Sequence, residues 1–314
     1  MTNSFQVARG GTESWYNHLM AAPKIFPFLR TYCTHTVVLD ASETPKSSLP
    51  RLSLADHAAV EFFNGVIIWL DILGSASTGL RPQYADICSD GLGDNSKLQL
   101  RKITGCENWT MVLIREIAVL LDWKHEMSEK KALSVLELAR RGVSIHQRLD
   151  AGINKLDAER DQYSDYPGQS NQIQSSEDER RNNYVICQVT YAYACAAKVY
   201  LNVVLSGANP NIPEIAHSVS MAAAALTSLT NPQLIQRLVW PFCIAGCMAR
   251  GNQRQAFRDL ASKAFMGGGN IGSLWKAFAV IQTCWELHDD IGNAGRNSDW
   301  LDSMKCLGWY VLLV

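Results

Sequence analysis

The residues best suited to chemistry in this chain are Asp289 and Asp290, two adjacent carboxylates that end an apolar run of helical period. Adjacent carboxylates can bind Mg²⁺ and, through the metal, a diphosphate. The third carboxylate of a D-D-x-x-D arrangement is missing, because Ile291, Gly292 and Asn293 follow. A solvated helix end is therefore the favoured interpretation, and a diphosphate site is the alternative.

Three polar residues inside apolar helical runs are candidates for the lining of a ligand pocket. Asn64 and Asp71 are seven positions apart, which puts them on one face of a helix. Lys198 is the only charged residue between Val189 and Val204. Because buried polar groups need partners, helix-packing hydrogen bonds are the favoured interpretation. An anion-receiving pocket around Lys198 is the alternative.

Three glycines, Gly267, Gly269 and Gly272, have the spacing of a dinucleotide-binding G-x-G-x-x-G motif. That motif requires a strand before the first glycine, so that backbone N–H groups meet the pyrophosphate at a helix start. The preceding residues have helical periodicity instead. We therefore interpret the glycines as a turn between helices and expect no cofactor.

Two cysteines, Cys243 and Cys247, are four positions apart in a helical run, which is within metal-ligand reach. No histidine or second cysteine pair in the sequence is an obvious complement. The favoured interpretation is a pair of small buried residues, so we expect no metal site.

Helical periodicity dominates the chain, and no convincing set of alternating strands is present. We predict an all-α fold: a single large, irregular multi-helix domain over residues 51–314, preceded by an irregular segment over 1–50. A polar stretch at 157–183 predicts a disordered connection. Gly74 is expected to end the first long helix, and Pro241 to kink a later one.

Composition narrows the possible classes of protein. The chain has 314 residues, of which 47% are hydrophobic and 19% charged, as in a folded domain. Its net charge of −1 gives no overall electrostatic attraction for nucleic acid. Nine cysteines, mostly in apolar runs, favour a reducing compartment. We expect no membrane span, because no uninterrupted apolar run reaches the length that one needs.

Several sequence pieces, in a fixed order, carry a family resemblance. They include W-L-D-I-L-x-S-x-S-T-G at Trp69–Gly79, L-V-W-P-F-x-I-A-G-C at Leu238–Cys247, and D-W at Asp299–Trp300. Over Leu54–Val314 the chain resembles the regulatory domain that follows the zinc cluster in fungal Zn2Cys6 transcription factors. The resemblance implies an all-helical domain, a nuclear location (with the cytoplasm as an alternative) and a role in regulating a metabolic gene cluster.

The zinc cluster of that family has no counterpart in these residues. A cluster needs two C-x2-C-x6-C arms, and the sequence contains no C-x2-C pair. The chain is similar to secondary-metabolite cluster regulators that lack the cluster; a lost DNA-binding exon is the other explanation. We expect no sequence-specific DNA binding by this chain alone. The expected partners are a zinc-cluster transcription factor or a second copy, with a small-molecule effector possible.

The competing hypothesis is a biosynthetic enzyme built on the same helical scaffold and acting on an anionic or diphosphate-bearing substrate. It requires Asn64, Asp71, Lys198 and the Asp289–Asp290 pair to line one cavity. Separate locations would favour the regulatory protein.

Overall fold

The computed structural model describes residues 54–84, 98–164, 174–266, 272–290, 298–309 and 311–314. Within these ranges there are ten α-helices, one 3-10 helix (Pro232–Arg237) and no strand. The α-helices are α1 (Leu54–Thr78), α2 (Arg101–Thr104), α3 (Asn108–Glu129), α4 (Val135–Ser164), α5 (Gln174–Ser206), α6 (Pro213–Thr227), α7 (Val239–Cys247), α8 (Asn252–Met266), α9 (Gly272–Asp289) and α10 (Trp300–Leu307). The all-α prediction is confirmed. The segment 1–50 lies outside the described residues.

Helix α5 is the centre of the fold and packs against α3, α4, α6 and α7. Its apolar residues occur on all sides rather than in one stripe, as expected for a helix surrounded by others. Ala194, Ala196 and Ala197 are fully buried, and such small side chains let neighbouring helices approach closely. The long apolar run that contains Lys198 is therefore the core of the domain.

The tryptophan-rich C-terminal quarter belongs to this core. All nine residues of α7 are buried. Trp240 stacks on Tyr193 of α5, with ring centroids 6.0 Å apart, and meets Tyr200 edge to face. Tyr200 in turn meets Trp300 of α10 at 5.6 Å. This chain of ring contacts joins α5, α7 and α10 by aromatic packing.

Helices α7 and α9 form a close interface. The indole Nε1 of Trp285 donates a hydrogen bond to the carbonyl of Gly246 at 2.8 Å. A Cβ on Gly246 would lie 2.5 Å from Cδ1 of Ile281, so any larger residue would force the Ile281 side chain to shift. The two helices therefore have one closely specified register.

The prediction that Gly74 ends the first helix is wrong. Helix α1 continues to Thr78 and ends where Gly79 adopts a left-handed φ of 72°. The hydroxyl groups of Ser77 and Thr78 donate to the carbonyls four residues earlier, at 2.6 and 2.7 Å. Burial of this last turn against the core outweighs the low helix propensity of its glycine and serines.

The predicted kink at Pro241 is also wrong. The break lies at Leu238, between the 3-10 helix and α7. Pro241 is the third residue of α7, within the first turn, where a backbone N–H has no intrahelical partner to lose.

The predicted connection at 157–183 is too long at both ends. Residues 157–164 belong to α4 and residues 174–183 to α5. The polar side chains at 178–183 are exposed. Arg160 is partly buried instead, and its guanidinium lies 4.4 Å from the ring centre of Tyr191. The remaining residues, 165–173, lie outside the described part, so their disorder stays a prediction.

Helix α1 meets the length and composition of a membrane span over Ala58–Thr78, with a mean hydropathy of 1.4. The core helix of a globular domain passes the same test. Helix α1 packs against α3, and its Asp71 is 2% exposed and hydrogen-bonded to protein. These contacts support the interpretation as a core helix.

Candidate functional site

Asp71 holds the turn that follows α1. Its two carboxylate oxygens accept hydrogen bonds from the backbone N–H groups of Gln83 and Tyr84, both at 3.0 Å. Burial raises the pKa of Asp71, while the two N–H donors and Arg115 act in the opposite direction. The carboxylate thus has the structural hydrogen bonds that the favoured interpretation requires.

Asn64 lies two turns before Asp71 on α1. Its Oδ1 is buried and has no hydrogen-bond partner among the described residues. A buried amide oxygen without a donor costs free energy, so this atom is the one candidate position at which an additional polar group would be favourable.

Lys198 reaches from the central helix α5 to α4. Its Nζ lies 2.6 Å from Oδ1 of Asp150, and Oδ2 of the same carboxylate lies 3.0 Å from Nδ1 of His146. Lys198 is 9% exposed. Its charge is therefore compensated within the protein by an ion pair between two helices.

Asp289 ends α9 at the surface. It accepts two hydrogen bonds from the guanidinium of Arg254 on α8, a bidentate pair. The pKa of Asp289 is lowered chiefly by this hydrogen bonding.

The residues before the glycine motif are helical. Helix α8 ends at Met266, so a helix and not a strand comes before Gly267.

These candidates are bonded to different parts of the fold. Asp71 holds the turn after α1, Lys198 joins α5 to α4, and Asp289 joins α9 to α8. Each charged group already has an internal partner. Their bonding therefore supports structural roles at three separate places.

In the packed structure a third cysteine lies near Cys243 and Cys247. Cys284 of α9 is a near neighbour, and both Cys243 and Cys284 contribute to a raised pKa of the buried Cys247 thiol. The thiol of Cys243 also lies 3.9 Å from the carbonyl of Ala277 on α9. All three cysteines are 0% exposed.

His288 completes this row at the end of α9. Sγ of Cys284 lies 3.9 Å from Nε2 of His288, and both atoms contact the carbonyl oxygen of Ser298, at 3.7 and 2.7 Å. Since a carbonyl only accepts, Nε2 of His288 carries a proton. We call Cys243, Cys247, Cys284 and His288 the thiol row.

The members of the thiol row have divergent acidities. Burial raises the pKa of Cys247 well above its usual value, and its neighbouring thiols add to the rise. Burial would also raise the pKa of Cys284, but hydrogen bonds from Cys247 and His288 lower it to about 6. Burial lowers the pKa of His288, whereas Cys284 and the Ser298 carbonyl raise it, and the net shift is upward. Each of these two neighbouring groups therefore shifts the pKa of the other, downward for Cys284 and upward for His288.

The sequence contains a signal for this row, since Cys284 and His288 are four positions apart, like Cys243 and Cys247. Two such pairs on facing helices are a common way to assemble reactive or metal-binding groups. Among the described residues, however, no group of three or more His, Cys, Asp or Glu side chains is arranged to hold a metal ion.

Comparison with known proteins identifies the family. The profile of the fungal specific transcription factor domain matches residues 1–314. The chain is 30% identical to the transcription factor dibT of Pestalotiopsis microspora over 275 residues, which cover 85% of this chain and 43% of that protein. It is 30% identical over 290 residues to the ustiloxin B cluster transcription factor ustR of Aspergillus flavus, covering 88% of this chain and 47% of that protein.

A third relative is a trichothecene biosynthesis transcription regulator of Trichoderma arundinaceum, 26% identical over 302 residues, covering 91% of this chain and 65% of that protein. The chain thus spans less than half the length of the first two relatives and about two thirds of the third. No solved structure matches it. Because the profile covers its whole length, the chain belongs to the fungal-specific transcription factor domain family.

Proposed function

We propose that this chain is a transcriptional regulator of a fungal secondary-metabolite gene cluster, acting in the nucleus through contacts with other proteins. The observation that carries the proposal is the family match over the whole chain. It is supported by relatives that are named as a transcription factor, an ustiloxin B cluster transcription factor and a trichothecene biosynthesis transcription regulator. The partner that we propose is a transcription factor that contains a zinc cluster.

The bonding of the polar candidates supports a regulator over an enzyme. An enzyme needs charged groups that are held in place yet open to the substrate. Lys198 and Asp71 instead use their charges on Asp150 and on two backbone N–H groups. The ammonium group of Lys198 is therefore already neutralised by Asp150 and is not free to bind an anionic substrate.

The proposed dependence on a partner rests on the composition of these residues. They contain no C-x2-C pair and have a net charge of −1, so neither a zinc module nor general electrostatic attraction provides DNA affinity. A partner with its own DNA-binding module would supply sequence recognition.

The first turns of α4 are suited to such a contact. Val135, Leu136 and Val143 are 75%, 82% and 53% exposed, a concentration of apolar side chains at the surface. Leu136 and Val143 are seven positions apart and share one face of the helix. Arg140, which is bonded to Glu137, borders them. We propose that this face binds the zinc-cluster partner.

Transcript profiling tests the proposal. Deletion of the gene should abolish transcription of a whole gene cluster, and the wild-type gene should restore it. The double variant Leu136→Glu/Val143→Glu should fail to restore it, whereas Ala151→Glu, which adds charge at an exposed position of the same helix, should succeed. Normal transcripts with a single missing metabolite would instead show an enzyme.

Binding assays separate the partner from DNA. The purified chain should give no sequence-specific shift of cluster promoter DNA, and should give one when the partner is added. Gel filtration of the chain alone distinguishes a second copy from a different protein as the occupant of the α4 face. A specific, salt-resistant shift by the chain alone would refute the proposed dependence.

A further inference from the structure

Three buried hydrogen-bonding atoms lie in the aromatic cluster that joins α5, α7 and α10. They are the hydroxyl oxygen of Tyr200 and the indole Nε1 atoms of Trp240 and Trp300. The three residues are 0%, 0% and 1% exposed, and none of these atoms has a hydrogen-bond partner among the described residues. The proposed regulatory function does not account for them.

The three side chains belong to one contiguous group of rings. Tyr200 meets Trp240 edge to face, with 5.9 Å between ring centroids, and meets Trp300 in the same way at 5.6 Å. Tyr200 is therefore the common neighbour of both tryptophans. An indole N–H only donates, whereas a phenolic hydroxyl both donates and accepts. The atom that these groups need in common is an oxygen acceptor.

Equivalent groups nearby do have protein partners. The hydroxyl of Tyr193, two turns earlier on α5, donates to the carbonyl of Arg237 at 3.1 Å. The Nε1 of Trp285 donates to the carbonyl of Gly246 at 2.8 Å. A buried polar group without a partner keeps its full desolvation cost, so folded proteins leave few such groups unpaired. Three adjacent unpaired groups therefore indicate an acceptor that the described residues do not supply.

We infer that Tyr200, Trp240 and Trp300 form an internal binding site for a neutral oxygen acceptor, either a buried water molecule or the carbonyl or hydroxyl oxygen of a small organic ligand. A buried water typically makes roughly three hydrogen bonds to otherwise unpaired groups, which matches the three groups of this site.

The surroundings of the site exclude a charged occupant. An indole nitrogen has no lone pair to offer a metal ion. An anion among aromatic rings would be buried without a counter-charge, which is costly. Burial and then the nearby Asp299 carboxylate raise the pKa of the Tyr200 hydroxyl, so this group keeps its proton and the carboxylate would repel an anion.

The site would connect the central helix to the C-terminal helices. Tyr200 lies on α5, Trp240 is the second residue of α7, and Trp300 is the first residue of α10. An oxygen bonded to all three groups adds hydrogen bonds to an interface that otherwise consists of ring packing. Its presence would stabilise the docking of α10, whose N-cap residue Asp299 directly precedes Trp300.

Nuclear magnetic resonance of the purified full chain, labelled with ¹⁵N at tryptophan, tests whether the site is occupied. Once the nine indole signals are assigned, the N–H protons of Trp240 and Trp300 should show through-space cross-peaks to water or to a ligand. The N–H proton of Trp285 should show neither, because it donates to a protein carbonyl. Absence of cross-peaks from both Trp240 and Trp300 would overturn the inference, since these groups would then donate at most to neighbouring ring faces.

The source of the oxygen is identified by what the protein releases on denaturation. Mass spectrometry of the organic extract should find either no compound or one compound in an amount equal to that of the protein. With the indole cross-peaks present, the first result identifies a buried water molecule and the second a small-molecule ligand. Both results support the site.

The variant Tyr200→Phe tests the site by the sign of its effect on stability. Removal of a hydroxyl that is bonded to the occupant should lower the melting temperature by about 2–4 °C. Tyr193→Phe, which loses the hydrogen bond to Arg237, is the matched control and should show a similar decrease. Removal of an unpaired buried hydroxyl would instead leave the melting temperature unchanged or raise it. A melting temperature of Tyr200→Phe equal to or above that of the wild type would therefore overturn the inference.

Discussion

The ammonium nitrogen of Lys198 lies 2.6 Å from Oδ1 of Asp150, so an ion pair joins the central helix α5 to α4. The two residues differ in exposure: the side chain of Lys198 is 11% exposed and that of Asp150 41%. The buried charge of Lys198 therefore needs Asp150 as its partner, whereas water can solvate the more exposed carboxylate of Asp150 when the lysine is absent.

This asymmetry predicts the relative stability of two variants. Asp150→Ala leaves a buried ammonium without its partner and should lower the free energy of unfolding by about 1–3 kcal/mol. Lys198→Met leaves an aspartate that water can solvate, and should cost less. Urea denaturation measures both values. A larger loss in Lys198→Met than in Asp150→Ala would contradict the assignment of Lys198 to this ion pair.

Asp71→Asn should weaken the turn after α1. The amide retains one acceptor oxygen, so one of the N–H groups of Gln83 and Tyr84 loses its carboxylate partner, at a cost of about 1–3 kcal/mol. Circular dichroism during urea unfolding measures this loss. Asp122→Asn on α3, a partly exposed carboxylate 3.9 Å from Arg81, is the matched control and should change little.

The same variant should change the dependence of stability on pH. Burial raises the folded-state pKa of Asp71 above 3.8, so the folded protein holds this proton more tightly than the unfolded chain. Its contribution to stability is therefore largest below 3.8 and falls as pH rises through the folded-state pKa. The stability difference between wild type and Asp71→Asn should shrink over that window and be constant above it. A difference that grows with pH would mean that the folded-state pKa is lowered.

Gly152→Ala should destabilise the contact between α3 and α4. A Cβ at position 152 would lie 2.4 Å from the nearest ring atom of Trp109, so the indole ring or one of the two helices must shift. We expect a loss of about 1–3 kcal/mol, because a tightly packed core resists an added methyl group. Ala151→Ser, at the exposed neighbouring position, is the control, and equal melting temperatures of the two variants would contradict the predicted overlap.

Asp299 should act as the N-cap of α10. Its carboxylate accepts hydrogen bonds from the backbone N–H groups of Leu301 and Asp302, at 2.8 and 3.2 Å. Asp299→Ala should cost about 1 kcal/mol, whereas Asp299→Asn retains a capping acceptor and should cost less. Hydrogen exchange of the α10 amides measures the effect locally. Equal protection in both variants would exclude the cap as the source of helix stability.

The local patterns of the sequence were sufficient to predict the helical class of the fold. Helical periodicity along the chain predicted the all-α class, and the described residues form helices without a strand. Helix ends were harder to predict, because Gly74 and Pro241 both have low helix propensity. Core packing keeps Gly74 inside α1. Pro241 is tolerated because it lies in the first turn of α7.

The candidate site residues show a second limit of prediction from sequence. The sequence marked Asp71 and Lys198 as polar groups in apolar surroundings, and such groups need partners. It could not identify Gln83, Tyr84 or Asp150 as those partners, because a hydrogen bond between distant positions depends on the register of two packed elements.

The sequence by itself determined the helical class and the membership of this chain in a transcription factor family, since both depend on patterns within short stretches and on their order. Only the tertiary structure assembled the thiol row. Cys247 and Cys284 are separated by a complete helix, α8, and meet because Gly246 lets α9 approach α7 closely. The lowered pKa of Cys284 arises from the groups packed around it, which outweigh the opposite effect of burial and are brought together only by folding.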